Sequence, residues 1–266
     1  MTFSASNNPS GTLFLVPAPL DFGCTPLAPL NHALPLQTLE LAARLQHWVC
    51  ENAKSTRAYL KRVNDVVPLT NPVQSLQIQE LPRQAHKAGD HVPGAQTFDA
   101  KALLAAALPA NGGHDIGLVS EAGMPAIADP GSSVVRAAHD LGLTVVPLVG
   151  PISLMLALAA SGLNGQNFAF VGYLPQEPSA RVQRIRELEG LALKTGQAQL
   201  FIETPYRNAA LLQSLIQTLQ TNTRLSASSG LTLAQARTRS QTVKAWKQLG
   251  LSAPEMALPI VFGIGR

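Results

Sequence analysis

The chain has 266 residues, 46% hydrophobic and only 14% charged, which supplies a large core and excludes a disordered or heavily solvated chain. Two cysteines, Cys24 and Cys50, are spaced for neither a metal site nor a redox pair, and the polar start MTFSASNNPSG lacks the basic and apolar stretches of a secretory signal. The apolar runs near residues 103–108 and 152–160 are too short to span a bilayer, so the expectation is a reduced, cytoplasmic protein without a membrane partner.

The net charge of +4 is unevenly spread. Residues 1–170 carry 9 Lys/Arg against 11 Asp/Glu, whereas residues 171–266 carry 11 against 5. A basic second half suits either a polyanion such as RNA or simple solubility.

In chain order, residues 1–10 read as a disordered leader. Residues 11–16 (GTLFLV) form a short apolar run between Gly11 and Pro17, the pattern of a buried strand. The proline-rich stretch 17–35 cannot be a regular helix. Helical spacing appears over 36–45 and 53–63, with a short strand at 48–50 between them and another at 75–80. Residues 86–96 read as loop, and 99–108 as a helix with Asp99 at its N-cap.

The segment that follows alternates strand and helix. Residues 115–120 are a strand, 121–131 (EAGMPAIADPG) a loop, and 132–141 a helix capped by Ser132 and ended by Gly142. A strand at 144–148 and a helix at 152–160 complete the pattern of a parallel α/β sheet. A polar link at 163–166 divides an N-terminal α/β domain, 11–164, from a C-terminal mixed α+β domain, 165–266. The second domain reads as strands at 168–174, 199–203, 225–231, 236–242 and 258–264, with helices at 178–193, 207–220 and 243–249.

Open α/β sheets bind ligands outside the carboxyl ends of their strands, where the loops after 11–16 and 115–120 lie. Gly123 and Gly131 allow close backbone approach, and the Glu121 carboxylate with exposed N–H groups suits a zwitterionic amino-acid moiety. Competing signatures are absent. There is no GxxxxGK[ST], no GxGxxG after the first strand and no GxSxG. The six histidines are scattered without metal-ligand spacing, so no metal is expected.

The ordered set SEAGMPAIADPG (120–131), GPISL (150–154), ASGLNGQNFAFVGYLP (160–175) and IETPYR (202–207) resembles the tetrapyrrole methylase superfamily. It is most similar to the branch that methylates ribosomal RNA, whose members read SDAGTPLISDPG, GPSA, ASGL…F.F.GFLP and YESPHR. GTLFLVPAP at 11–19 agrees as well. The resemblance implies a two-domain enzyme with a parallel α/β N-terminal domain, a mixed α+β C-terminal domain and a cofactor cleft between them. It implies S-adenosylmethionine as cofactor and a homodimer as assembly.

Carried over by position, the cofactor contacts fall on Pro19, Glu121, Ala122, Gly123, Ile127, Ala128, Ser153, Leu154, Glu203 and Ser228. Ile127, Ala128 and Leu154 suit plain core packing equally well. Substrate contacts fall on Glu51, Lys54 and Arg207, with Glu51 and Lys54 also the candidates for catalysis. The sequence marks no single catalytic base, and a sulfonium donor demands one only for a hydroxyl acceptor.

The chain also departs from the branch. Where relatives read EDTR it has Glu51-Asn52-Ala53-Lys54, and lysine lacks the bidentate fork of arginine. The relatives' HEHNE-like segment is replaced by QAHKAGDHVPGAQ, and their ATPIGN loop by Pro17-Ala18-Pro19-Leu20-Asp21-Phe22. Three readings stand at this point: a methyltransferase of RNA, at a ribose hydroxyl; a methyltransferase of a tetrapyrrole or other small molecule; and a non-catalytic S-adenosylmethionine- or RNA-binding protein.

Overall fold

A computed structural model describes residues 9–21, 23–82, 98–249 and 256–266. The expected leader falls largely, and the loop at 86–96 wholly, outside the described residues. Two compact units divide between Pro151 and Ile152, with Leu20 and Asp21 grouped with the second.

The first unit is built on a five-stranded parallel sheet. Its strands are β1 (Thr12–Val16), β2 (His47–Cys50), β3 (Gln77–Glu80), β4 (Ile116–Val119) and β5 (Thr144–Pro147), in the order β3-β2-β4-β1-β5. Side chains alternate across it, as the pleat requires. Val16, Trp48, Cys50 and Val119 face helices α1 (Leu36–Arg44) and α2 (Ala53–Asn64), packing with Leu39, Ala42, Leu60 and Val63. Leu13, Val49, Ile116 and Leu118 face the opposite way, against Leu104, Ala107, Val134 and Ala138. These last come from the 3-10 helix Lys101–Ala107 and from α3 (Ser132–Asp140). Both faces are therefore covered, the usual condition of a parallel sheet.

Central strand β4 carries Gly117 opposite Trp48. A Cβ there would lie 2.7 Å from the indole ring and 3.0 Å from Leu45. Trp48 is 1% exposed, and its Nε1 donates to the Leu45 carbonyl at 3.2 Å, so the ring cannot swing aside cheaply.

Three local expectations are corrected. Residues 101–107 wind as a 3-10 helix, not an α-helix. Over two turns, periods of 3.0 and 3.6 bury nearly the same residues, so apolar spacing does not separate them. The N-cap of this helix is Ala100 and not the expected Asp99, which lies one residue earlier and accepts from the Lys101 amide at 3.0 Å. The N-cap of α3 is Gly131 at φ 133°, which puts Ser132 inside the helix.

The second unit, Ile152–Arg266, has a mixed sheet in the order β6-β7-β10-β8-β9. The strands are β6 (Phe168–Tyr173), β7 (Ala198–Glu203), β8 (Arg224–Ser229), β9 (Arg237–Thr242) and β10 (Ile260–Gly265). β6 and β7 run parallel, and the other pairings are antiparallel. Helices α5 (Pro178–Thr195), α6 (Asn208–Thr218) and α7 (Val243–Leu249) cover one face. Ile185, Leu188, Leu211, Leu215 and Trp246 pack there on Phe201 and Phe262, whose rings stack at 5.9 Å.

Helix α4 (Ser153–Ser161) covers the other face, with Leu154 and Ala157 on Val261 and Leu158 on Leu200. Helix α4 thus groups with the second unit. The polar 163–166 link is a turn inside the second unit, where Asn164 Oδ1 accepts from the Gln166 and Asn167 amides.

Gly117→Ala is expected to cost about 1–3 kcal/mol by overpacking against Trp48, read as a lower urea midpoint with an unchanged slope.

Candidate functional site

Strands β1 and β4 are neighbours, yet their chains leave in opposite directions. The path from β1 leads to α1 on one face of the sheet, and the path from β4 leads to α3 on the other. Such a switch point opens a crevice at the carboxyl ends of the strands. The two loops are tied across it. The Ala18 amide donates to the Gly123 carbonyl at 2.8 Å, and the Gly123 amide donates to the Ala18 carbonyl at 3.0 Å.

The loop after β4 has an unusual backbone. Gly123 sits at φ 76°, and Ala126 and Ala128 sit at 65° and 63°, where a Cβ is normally disfavoured. Non-glycine residues held in this region cost of order 1–3 kcal/mol each and collect at ligand sites. Ile127 lies between the two alanines and is 41% exposed, while Ala128 is exposed as well. Core packing, an open alternative for these two, does not describe them.

Carboxylates gather at the ends of β2 and β4. Glu121 accepts from Ser55 Oγ at 2.5 Å, and Glu51 Oε1 lies 3.4 Å from the Glu121 amide. Asp129 follows in the same loop. Its pKa is pushed up to about 7, by burial first, then by the Glu51 charge, with the Ser120 hydroxyl opposing and Glu121 adding to the rise. Glu80 accepts from the Ala53 amide at 2.7 Å, which fixes the start of α2.

Asn52, the residue that departs from EDTR, is the N-cap of α2. Its Oδ1 accepts from the Lys54 and Ser55 amides at 2.9 and 3.2 Å. Aspartate and asparagine cap equally well, so the departure keeps the cap and removes one negative charge. Lys54 is exposed on the first turn of α2.

The first unit thus brings together Glu51, Glu121, Ala122, Gly123, Ile127 and Ala128 at the ends of β2 and β4, with Pro19, buried, one residue past the bridge to β1. Ser55 and Asp129 join them. Sequence reasoning did not single these two out, although Asp129 lies in the matched loop and Ser55 is one turn from Glu51.

The second unit holds the remaining candidates. Glu203, 5% exposed, ends β7 and is fully engaged. Its Oε1 accepts from the Thr204 amide and from Arg207 Nε, both at 2.8 Å, and Arg207 Nη2 lies 2.8 Å away. Ser228 on β8 is 1% exposed and shares a 2.8 Å hydrogen bond with Thr238 Oγ1. Leu154, 2% exposed, is a core residue of its own unit. Ser153 begins α4 and is half-buried.

Among the described residues, no group of three His, Cys, Asp or Glu side chains is placed to hold a metal ion. Nor is any described helix long and apolar enough to cross a membrane.

No protein-family model matches the chain. Over 210 residues it is 31% identical to a ribosomal RNA small subunit methyltransferase I from Mesorhizobium japonicum, a match covering 79% of this chain and 63% of the relative. A protein of the same name from Vibrio cholerae is 39% identical over 107 residues, 40% of this chain and 36% of the relative. The chain therefore spans less than two thirds of the length of these curated relatives. Two crystal structures share its fold at a TM-score of 0.53. One is a uroporphyrin-III-C-methyltransferase from Thermus thermophilus, 17% identical, with 96% of this chain and 94% of that one superposed. The other is the methyltransferase CobJ, 16% identical, with 97% and 95% superposed.

The raised pKa of Asp129 makes a stability prediction. The folded chain favours the protonated carboxyl, so between about pH 4 and pH 7 it holds more protons than the unfolded chain. Asp129 therefore stabilises most below pH 4, and that contribution is lost as pH rises through about 7. Asp129→Asn is expected to flatten this fall and to raise stability at pH 8 by on the order of 1–2 kcal/mol relative to wild type, read from urea midpoints across the range.

Proposed function

We propose that this chain, a member of the tetrapyrrole methylase superfamily by its fold and its relatives, is an S-adenosylmethionine-dependent methyltransferase that acts on RNA. The reading is carried by the bridged pair of loops at the β1/β4 switch point, which holds the matched SEAGMPAIADPG segment against a cluster of carboxylates.

The residues present fit this cofactor. S-adenosylmethionine carries a sulfonium, an ammonium and a carboxylate, so it is a net cation. Glu51, Glu121 and Asp129 make a negative field that favours such a ligand, and the Glu51 and Glu121 charges add to the rise in the Asp129 pKa that burial begins. The left-handed backbone at Gly123, Ala126 and Ala128 sets the loop for close approach by a ligand. When bound, the cofactor supplies a methyl group already activated by its positive sulfur. The protein's task is then alignment of the acceptor and exclusion of water.

Support for RNA comes from the names of the sequence relatives and from the basic second half of the chain. In the branch that the sequence resembles, the acceptor is a ribose hydroxyl. Glu51 and Lys54, at the mouth of the carboxylate cluster, are the candidates for acceptor contacts. A homodimer working in the cytoplasm belongs to the same reading.

The test is to incubate purified protein with methyl-labelled S-adenosylmethionine and lysate from cells lacking the gene, then to fractionate. Label in RNA is the expected result. Label confined to small molecules would replace RNA by a tetrapyrrole or similar acceptor, and bound cofactor without transfer would indicate a binding protein. Glu121→Gln is expected to weaken cofactor affinity by roughly tenfold in calorimetry, matching the ~1.5 kcal/mol of a charge-assisted contact, with the fold unchanged by circular dichroism.

A further inference from the structure

The second unit exposes an aromatic group that its packing does not require. Tyr206 is 80% exposed and Tyr173 is 54% exposed, the two largest exposures among the described aromatic side chains. Tyr173 is the last residue of β6, and Tyr206 lies in the 3-10 turn Pro205–Arg207 just past β7. Because β6 and β7 are parallel neighbours, with Tyr173 level with Ile202, both rings stand at the same end of the sheet.

Between them is Arg207. Its guanidinium carbon lies 5.3 Å from the Tyr206 ring centre and 5.8 Å from that of Tyr173, within cation–π range of both. Buried Glu203 holds Arg207 through Nε and Nη2. The charge of Arg207 is thus matched inside the protein, and what the group offers outward is flat π surface more than free positive charge. That favours a flat, neutral partner over a phosphate.

We propose that Tyr173, Tyr206 and Arg207 form a stacking platform for an unpaired base of the acceptor RNA. The proposal rests on the RNA reading above and adds to it the residues that recognise a single strand. Bases splayed from RNA stack on aromatic rings and on arginine planes, and such stacking tolerates any base. Relatives of the resembled branch carry histidine in YESPHR where this chain has Tyr206, so this chain presents a larger ring at that place. Arg207 acts here as the positioning residue, holding both rings by its own attachment to Glu203.

The test uses the full chain and a fluorescein-labelled, ten-nucleotide single-stranded RNA of mixed sequence, followed by anisotropy. Wild type is expected to bind the single strand more tightly than the same strand in a duplex. Tyr206→Ala is expected to weaken single-strand binding by roughly tenfold, and Tyr206→Phe to stay within about twofold of wild type. The dependence on salt should be the same in wild type and Tyr206→Ala, since stacking releases no counterions. Circular dichroism and S-adenosylmethionine affinity, unchanged in both variants, serve as the control for folding.

Equal single-strand binding by wild type and Tyr206→Ala would overturn the proposal, as would a wild type that binds no single strand or prefers the duplex. Loss of strand binding in Tyr206→Ala without any transfer of label to RNA would keep the platform and remove the proposed activity. Transfer to RNA at equal rates in Tyr206→Ala and Tyr206→Phe would keep the activity and remove the platform.

Discussion

The placement of β4 between β1 and β2 is the constraint from which the candidate site follows. The register sets Val119 level with Val16 on one side and with Cys50 on the other. The next residues along each strand, Pro17, Glu51 and Ser120, therefore leave the sheet side by side. Ala18, one residue past Pro17, can then bridge to Gly123, three past Ser120, and Glu51 comes within reach of the Glu121 amide. A slip of one residue in β4 would turn Gly117 away from Trp48 and put Leu118 into the indole. The fit of Trp48 into the space above Gly117 thus holds the register, and the register holds the site.

The two units treat buried charge differently. In the second unit, Glu203 is buried and compensated within the chain by Arg207 and Thr204. In the first unit the carboxylates face one another. Burial raises the Asp129 pKa first, and the Glu51 and Glu121 charges add to the rise. A cluster that is uncomfortable alone is improved by a cation, whereas a matched pair such as Glu203 and Arg207 gains nothing from one. The same matching leaves the rings around Arg207 as neutral surface.

The departures from the family pattern are less disruptive than the letters suggest. Asn52 in place of aspartate still caps α2 with two accepted amides. Glu121 in place of the relatives' aspartate reaches Ser55, one turn into that same helix. The longer side chain ties the loop after β4 to the start of α2, a link between two elements 66 residues apart in sequence. The substitutions therefore read as an adjusted network, not as the decay of one.

By itself, the sequence determined the elements and the resemblance. Short apolar runs between glycine and proline, helical spacing with caps, and the order of the matched motifs are all local properties, and each is visible in a few consecutive residues. It also determined the loop at 121–131 as a place for ligand, because that loop follows a buried strand. Only the tertiary structure decided what the loop contains. Asp129 becomes unusual through burial first, and then because the pairing of β2 with β4 brings Glu51, 78 positions earlier in the chain, beside it. Ser55 becomes a partner of Glu121 for the same reason. The assignment of α4 to the second unit, and the winding of 101–107 as a 3-10 helix, likewise lay outside local pattern. Apolar spacing says that a face is buried, but packing alone says against which sheet and at what pitch.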